Sequence, residues 1–313
     1  MGGFKMKLNK FLTLFMALVL SVVLAACGGD DSKDNETSEG STGTETNNEG
    51  STSTSSEPKE LNLVFMSEPP SLHPGLASDT TSSTAINNIF EGLMTMENGV
   101  PVEAAAESYE ISDDLLTYTF KLRDSKWSNG DPVTANDFAF AWKWALTPEN
   151  ASEYASILYP IKGAEAYHSG TGSADDLGIK VVDDKTLEVT LEVPTPYFLE
   201  LTAFKTFSPI HQATQEANAN WYTEADTIVS NGAYTLTEWV HNGNLVFTKS
   251  ENYWDKENVK IDTVNVAIVE SEASQMNMFD AGEVDFLGTN YGSISLDAID
   301  RLKSEGTLKV AEY

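Results

Sequence analysis

Leu116-Thr117-Tyr118-Thr119-Phe120-Lys121-Leu122-Arg123 leads, two residues later, into Lys126-Trp127-Ser128-Asn129-Gly130-Asp131-Pro132-Val133-Thr134-Ala135, and the hydrophobic period changes between them. Tyr118, Phe120 and Leu122 alternate with Thr117, Thr119, Lys121 and Arg123, which is the period of a half-buried strand. Trp127 to Pro132 turns the chain. Thr134 with Asp137 three residues on reads as a helix start, the Thr134 side chain being able to accept an orphan backbone N–H. Phe138, Ala141, Trp142 and Ala145 then continue along one helical face.

Both flanks of this strand, turn and helix keep mixing the two periods. Upstream, Leu61 to Phe65 reads as a strand, Glu68 to Pro74 as a proline-stiffened loop, and Ile86, Ile89, Phe90 and Leu93 fall at helical spacing. Downstream, Val181-Val182 and Leu187, Val189 and Leu191 form a hairpin across Asp183-Asp184-Lys185, closed by Pro194 and Pro196. A second hairpin joins Tyr234–Val240 to Leu245–Thr248 through His241-Asn242-Gly243-Asn244, where Asn-Gly supplies the positive φ of a tight turn. Ile261 to Val269, a helix bearing Met276 and Phe279, a stop at Gly282, and Val284 to Leu287 read as a β-α-β unit. The fold class is therefore α/β in the mixed α+β sense. No internal repeat shows, and Lys59 to Tyr313 suits two domains or one large one.

The 313 residues are 41% hydrophobic and 21% charged, enough apolar material for a sizeable core. Asp and Glu number 48 against 19 Lys and Arg, a formal charge of -29, which excludes phosphate-backbone binding as a plausible role. One cysteine excludes an intramolecular disulfide framework and a Cys-rich zinc site.

That cysteine follows an export leader. Lys5, Lys7 and Lys10 precede the apolar run Phe11 to Val23, and Leu24-Ala25-Ala26-Cys27-Gly28 resembles the bacterial lipobox, in which the cysteine becomes the acylated first residue. The run is shorter than the ~20 residues of a spanning helix. A lone cysteine is more often a buried free thiol, but this one stands between a leader and a polar tract with no core around it. Gly28 to Pro58 lacks any aliphatic or aromatic side chain and carries eight acids against Lys33, the composition of a disordered tether. Its root-mean-square span would be about 30 Å.

Catalytic signatures are missing. The sequence has no G-x-S-x-G, H-E-x-x-H, Walker, G-x-G-x-x-G or C-x-x-C pattern. His73, His168, His211 and His241 are dispersed, without a second ligand at metal spacing, and read as surface or hydrogen-bonding histidines. Asp113-Asp114, Asp175-Asp176 and Asp183-Asp184 lack the alternation of a calcium loop and read as solvated turn acids. The six Trp, 11 Tyr and 14 Phe could line a cleft, though such spacing usually marks core.

The two stretches quoted first, with Ser230-Asn231-Gly232-Ala233-Tyr234, Asn252-Tyr253-Trp254-Asp255 and Gly282-Glu283-Val284-Asp285-Phe286, resemble the extracellular solute-binding proteins of family 5. Within that family they most resemble the oligopeptide-binding lipoproteins that feed ABC importers. The likeness runs over essentially all of Lys59 to Tyr313. It implies a periplasmic-binding-protein-like, two-lobed clamp whose closed state binds ligand better, so that ligand shifts the population towards closure. On this reading residues 1–26 are a signal peptide, 27–58 an acidic tether, 59–91 and 211–313 the binding domain of the first lobe, and 92–210 a domain inserted into it.

In peptide-binding members the ligand lies extended and pairs its backbone with strand-like protein segments, so main-chain bonds supply affinity without reading side chains. The matching segment here is Ser78-Asp79-Thr80. Tyr154, in Ser152-Glu153-Tyr154-Ala155-Ser156, matches a tyrosine that lines the cavity, and Asn231 lies in a motif close to the site; core packing and a turn role are their plainer readings. The resemblance implies capture of oligopeptides outside the bacterial cytoplasmic membrane and delivery to a permease, by a monomer anchored to the membrane through Cys27. No catalysis, cofactor, metal or nucleic acid is expected. The alternatives are a peptide-pheromone receptor, a binder of dipeptides, nickel chelates, haem or oligosaccharides, and a secreted hydrolase.

Family members extend well beyond this length. The second lobe, with the acid that neutralises a peptide amino terminus and its neighbouring tryptophans, is expected to be missing, as are the final strands returning to the first lobe. This leaves an expected unpaired sheet edge and weak peptide binding.

Overall fold

A computed structural model describes residues 58–310. The leader, Cys27 and all of the tether but Pro58 lie outside the described residues. The strand and helix expected between Leu116 and Ala145 both form. Strand β5 (Thr117–Leu122) lies in an antiparallel sheet of order β4-β5-β7-β6, with β4 at Ala106–Ile111, β6 at Ile179–Asp183 and β7 at Thr186–Thr190. Tyr118 stands opposite Val189 and Phe120 opposite Leu187, so the alternation of both strands buries one shared face. Helix α2 (Ala135–Leu146) packs on that face with Phe138, Ala141, Trp142 and Ala145 all buried. The capping box at its start closes, the Thr134 N–H donating to Asp137 Oδ2 at 2.8 Å.

The second sheet has the order β1-β10-β9-β8. Its strands are β1 (Glu60–Phe65), β8 (Tyr234–Val240), β9 (Asn244–Lys249) and β10 (Thr263–Ile268). Here β1 runs parallel to β10, with Glu60 beside Thr263 and Phe65 beside Ile268, although about two hundred residues separate them in sequence. Leu63 and Phe65 face the main core, while Val64 faces a smaller cluster with Met276, Val284, Leu287, Ala298 and Leu302. Cover on both faces is why Leu63-Val64-Phe65 is continuously apolar. The β8–β9 hairpin turns where expected, and the residue with positive φ is Asn242, at 57°. Its tip is held by Glu68, which accepts from Trp239 Nε1 at 2.8 Å, from the His241 ring at 2.7 Å and from the Asn242 N–H at 2.8 Å.

Helix α1 (Thr80–Ile89), the ribbon β2 (Met94–Glu97) with β3 (Val100–Glu103), and the short helices α3 (Ala164–His168), α4 (Phe198–Leu201) and α5 (Gln212–Ala217) complete the main body. Helices α6 (Glu272–Asp280) and α7 (Ile299–Ser304) contribute to the smaller cluster. The main core runs without a break from the first sheet to the second.

Two expectations are corrected. Leu93 is buried but not helical: α1 stops at Ile89, and Phe90 is extended, at φ -121° and ψ 148°. The chain must leave the helix there because Gly232 passes so close that a Cβ on it would sit 2.5 Å from the Ile89 carbonyl carbon. Val284 to Leu287 is not a strand, so the β-α-β unit lacks its last member. The segment does approach the free edge of β1, the Asp285 N–H donating to the Asn62 carbonyl at 2.8 Å. Asp285 Oδ2 then accepts the Asn62 N–H at 2.7 Å, so a side chain takes the place of a second ladder bond.

Candidate functional site

Asp79 begins the site. Its backbone is extended, at φ -111° and ψ 165°, and its Oδ1 accepts the Ser82 N–H at 2.8 Å, which fixes the start of α1. Ser83 Oγ donates to the Asp79 carbonyl at 2.6 Å and Thr84 Oγ1 to the Thr80 carbonyl at 2.8 Å. The backbone N–H groups of Ser78 and Thr80 find no acceptor among the described residues. Ser78, Asp79, Thr80 and the polar face of α1 thus form one wall of a cleft of about 250 Å³.

Tyr154, Phe204 and Lys205 line the same cleft. Ser152 Oγ donates to the Gly75 carbonyl at 2.5 Å, tying the segment that carries Tyr154 to the loop ahead of Asp79. Tyr154 is 37% exposed, its ring lies 5.4 Å from that of Phe204, and Lys205 Nζ lies 4.3 Å from the first ring centre and 4.2 Å from the second. Burial pulls the Lys205 ammonium below the ordinary lysine range, opposed by the charge of Asp79.

Four of the residues singled out in the sequence, Ser78, Asp79, Thr80 and Tyr154, therefore come together. Asn231 does not line the cleft. It is buried, and its amide clamps the backbone of Glu91, accepting that N–H at 3.0 Å and donating to that carbonyl at 2.9 Å. Cys27 lies outside the described residues.

Sequence reasoning missed Lys205 and Glu91. Each is a lone charge in an apolar stretch, Phe204-Lys205-Thr206-Phe207 and Ile89-Phe90-Glu91-Gly92-Leu93, which is the one signal that was available. Glu91 accepts from Tyr253 Oη at 2.6 Å and Trp254 Nε1 at 2.8 Å, with the Arg123 guanidinium 3.6 Å above the Trp254 ring. Burial pushes its carboxyl up to about 7 despite those bonds. Ser128 exchanges bonds with Ser230, and Asn252 donates to the Ser128 carbonyl at 3.0 Å. The motifs Trp127-Ser128-Asn129-Gly130, Ser230-Asn231-Gly232 and Asn252-Tyr253-Trp254 thus meet in one polar knot that joins the two sheets. Among the described residues, no group of three His, Cys, Asp or Glu could hold a metal ion. No helix there is long and apolar enough to cross a membrane.

A profile described as bacterial extracellular solute-binding proteins, family 5 Middle, matches residues 100–313. The chain belongs to this family. The oligopeptide-binding protein OppA of Bacillus subtilis is 44% identical over 298 residues, which is 94% of this chain and 52% of that protein. The substrate-binding domain of an oligopeptide ABC transporter from Bacillus anthracis superposes with a TM-score of 0.74 at 40% identity, covering 79% of this chain and 48% of the other. Listeria monocytogenes OppA bound to peptide gives a TM-score of 0.72 at 37% identity, covering 75% and 48%. The fold is thus that of the periplasmic peptide-binding proteins, and the chain spans about half the length of the relatives it matches.

Proposed function

We propose that this chain supplies the first lobe of a receptor that captures oligopeptides outside the membrane and delivers them to the permease of an ABC importer. The observation that carries the reading is the cleft itself, where the extended backbone of Asp79, with the unpartnered N–H groups of Ser78 and Thr80 on either side, lines one wall and Tyr154 another. An extended peptide fits such a wall by pairing its carbonyls with those donors and stacking on the ring. The relatives named oligopeptide-binding, and the one bound to peptide, support the same class of ligand. Residues 59–91 and 211–313 would form the binding domain and 92–210 the inserted domain. The receptor would act as a monomer held by acyl chains on Cys27.

Native mass spectrometry of the protein drawn from its host membrane tests this. The expected result is a retained set of ligands that release amino acids on hydrolysis. A ligand set free of amide bonds would overturn peptide capture in favour of another solute.

A further inference from the structure

Lys205 has a structure that packing alone does not explain. The residue is only 4% exposed, yet among the described residues its ammonium makes no hydrogen bond or ion pair. The ammonium lies over the rings of Tyr154 and Phe204. An unpaired buried charge is strongly disfavoured, and ring faces compensate it only in part. Lys205, Tyr154 and Phe204 all line the cleft, so the ammonium sits among residues of its wall. Asp79, the acid across the cleft, is near enough to be felt by Lys205 but forms no ion pair with it; its carboxylate is engaged at the start of α1, where the helix dipole offsets part of its charge. The cleft therefore presents one unmatched positive centre, flanked by the neutral side chains of Ser83, Asn87 and Asn290. It does so in a chain with 48 acids, whose long-range field repels anions.

We propose that Lys205 makes this cleft a carboxylate-reading subsite, which pairs with one carboxylate of the bound peptide. The inference rests on the peptide-capture reading above and adds a charge preference to it. The carboxylate would bring the acceptor that the ammonium lacks, in a site where burial strengthens the pair. Its source is an acidic side chain or the peptide's own terminus, and the two are separable.

The protein, purified from its host at natural length and freed of ligand, is titrated calorimetrically with Ala-Glu-Ala-Ala and Ala-Gln-Ala-Ala, each as free acid and as C-terminal amide. The wild type is expected to lose about tenfold in affinity when the recognised carboxylate is removed. Loss on Glu-to-Gln exchange assigns the side chain, and loss on amidation the terminus. In Lys205→Met that ratio falls to about one, and in Lys205→Arg most of it remains. A lysine that merely props Tyr154 and Phe204 would weaken all four peptides alike in Lys205→Met and leave the ratio intact, which overturns the proposal. Equal wild-type affinity for all four overturns the subsite and leaves peptide capture standing. Binding of none overturns both.

Discussion

Burial holds the Glu91 carboxyl at about 7 against an ordinary 4.5, over the lowering effects of Tyr253, Trp254 and Arg123. The folded state keeps a proton that the unfolded chain has lost, so this group stabilises fully below pH 4.5 and that stability is lost as the pH rises through 7. His73 acts in the opposite sense. Burial holds it at about 4 against 6.5, with Gln215 opposing, so its contribution is present above pH 6.5 and lost as the pH falls through 4. Its Nδ1 accepts the Gly75 N–H at 3.0 Å, which leaves Nε2 to carry the proton towards Gln215. Between pH 4.5 and 6.5 the two slopes cancel. Glu91→Gln removes one of them. Relative to wild type, the variant should gain on the order of 3 kcal/mol between about pH 5 and about pH 8, at ~1.4 kcal/mol per pKa unit. Urea denaturation at the two pH values reads this, and parallel profiles would show that the Glu91 carboxyl is not held protonated by the fold.

Helix α2 depends on a single carboxylate. Asp137 Oδ2 accepts the Thr134 N–H at 2.8 Å, the Thr134 hydroxyl at 3.0 Å and the Trp127 indole N–H at 3.3 Å, and Trp127 is wholly buried. Asp137→Ala strands that indole donor and opens the cap, for an expected loss of about 2 to 4 kcal/mol. Thr134→Ala keeps the backbone bond to Asp137 and should cost about 1 kcal/mol. Urea midpoints separate the two, and equal losses would mean that the indole bond contributes nothing. This element was legible because its signals are local: a threonine, an acid three residues on, and apolar residues at one face. The strand at Val284 to Leu287 was misread because its apolar residues serve the cluster under α6 and α7, while Asp285 meets Asn62 across most of the chain. The cleft was half legible. Ser78 to Thr80 and Tyr154 were reached through resemblance, whereas Lys205 meets Tyr154 and Asp79 only once distant loops have folded together, a proximity that no sequence period reports. Asn231 was placed near the site because its motif is distinctive, and what the motif serves is the joint at Glu91.

At the scale of the molecule, the described residues carry their own core, and the lipid anchor proposed at Cys27 precedes them in sequence by the polar tract Gly28 to Pro58. Acyl chains bind membranes by about 0.8 kcal/mol per buried CH₂, so two or more hold a protein stably where one does not. An anchor of that kind would hold the receptor in the same membrane as its permease, which raises their effective concentration without a new contact. Cys27→Ser should therefore move the protein from the membrane pellet to the soluble fraction and remove the acyl mass. Its thermal midpoint should stay unchanged, because the core of the described residues is built from Leu63 to Leu302 and the substitution alters none of those side chains. Peptide uptake by the cell should fall while affinity of the isolated protein persists, and that split distinguishes an anchor from a folding residue. Continued pelleting of the Cys27→Ser protein would show that something other than acylation holds it at the membrane, and uptake at the wild-type level would show that delivery does not depend on tethering.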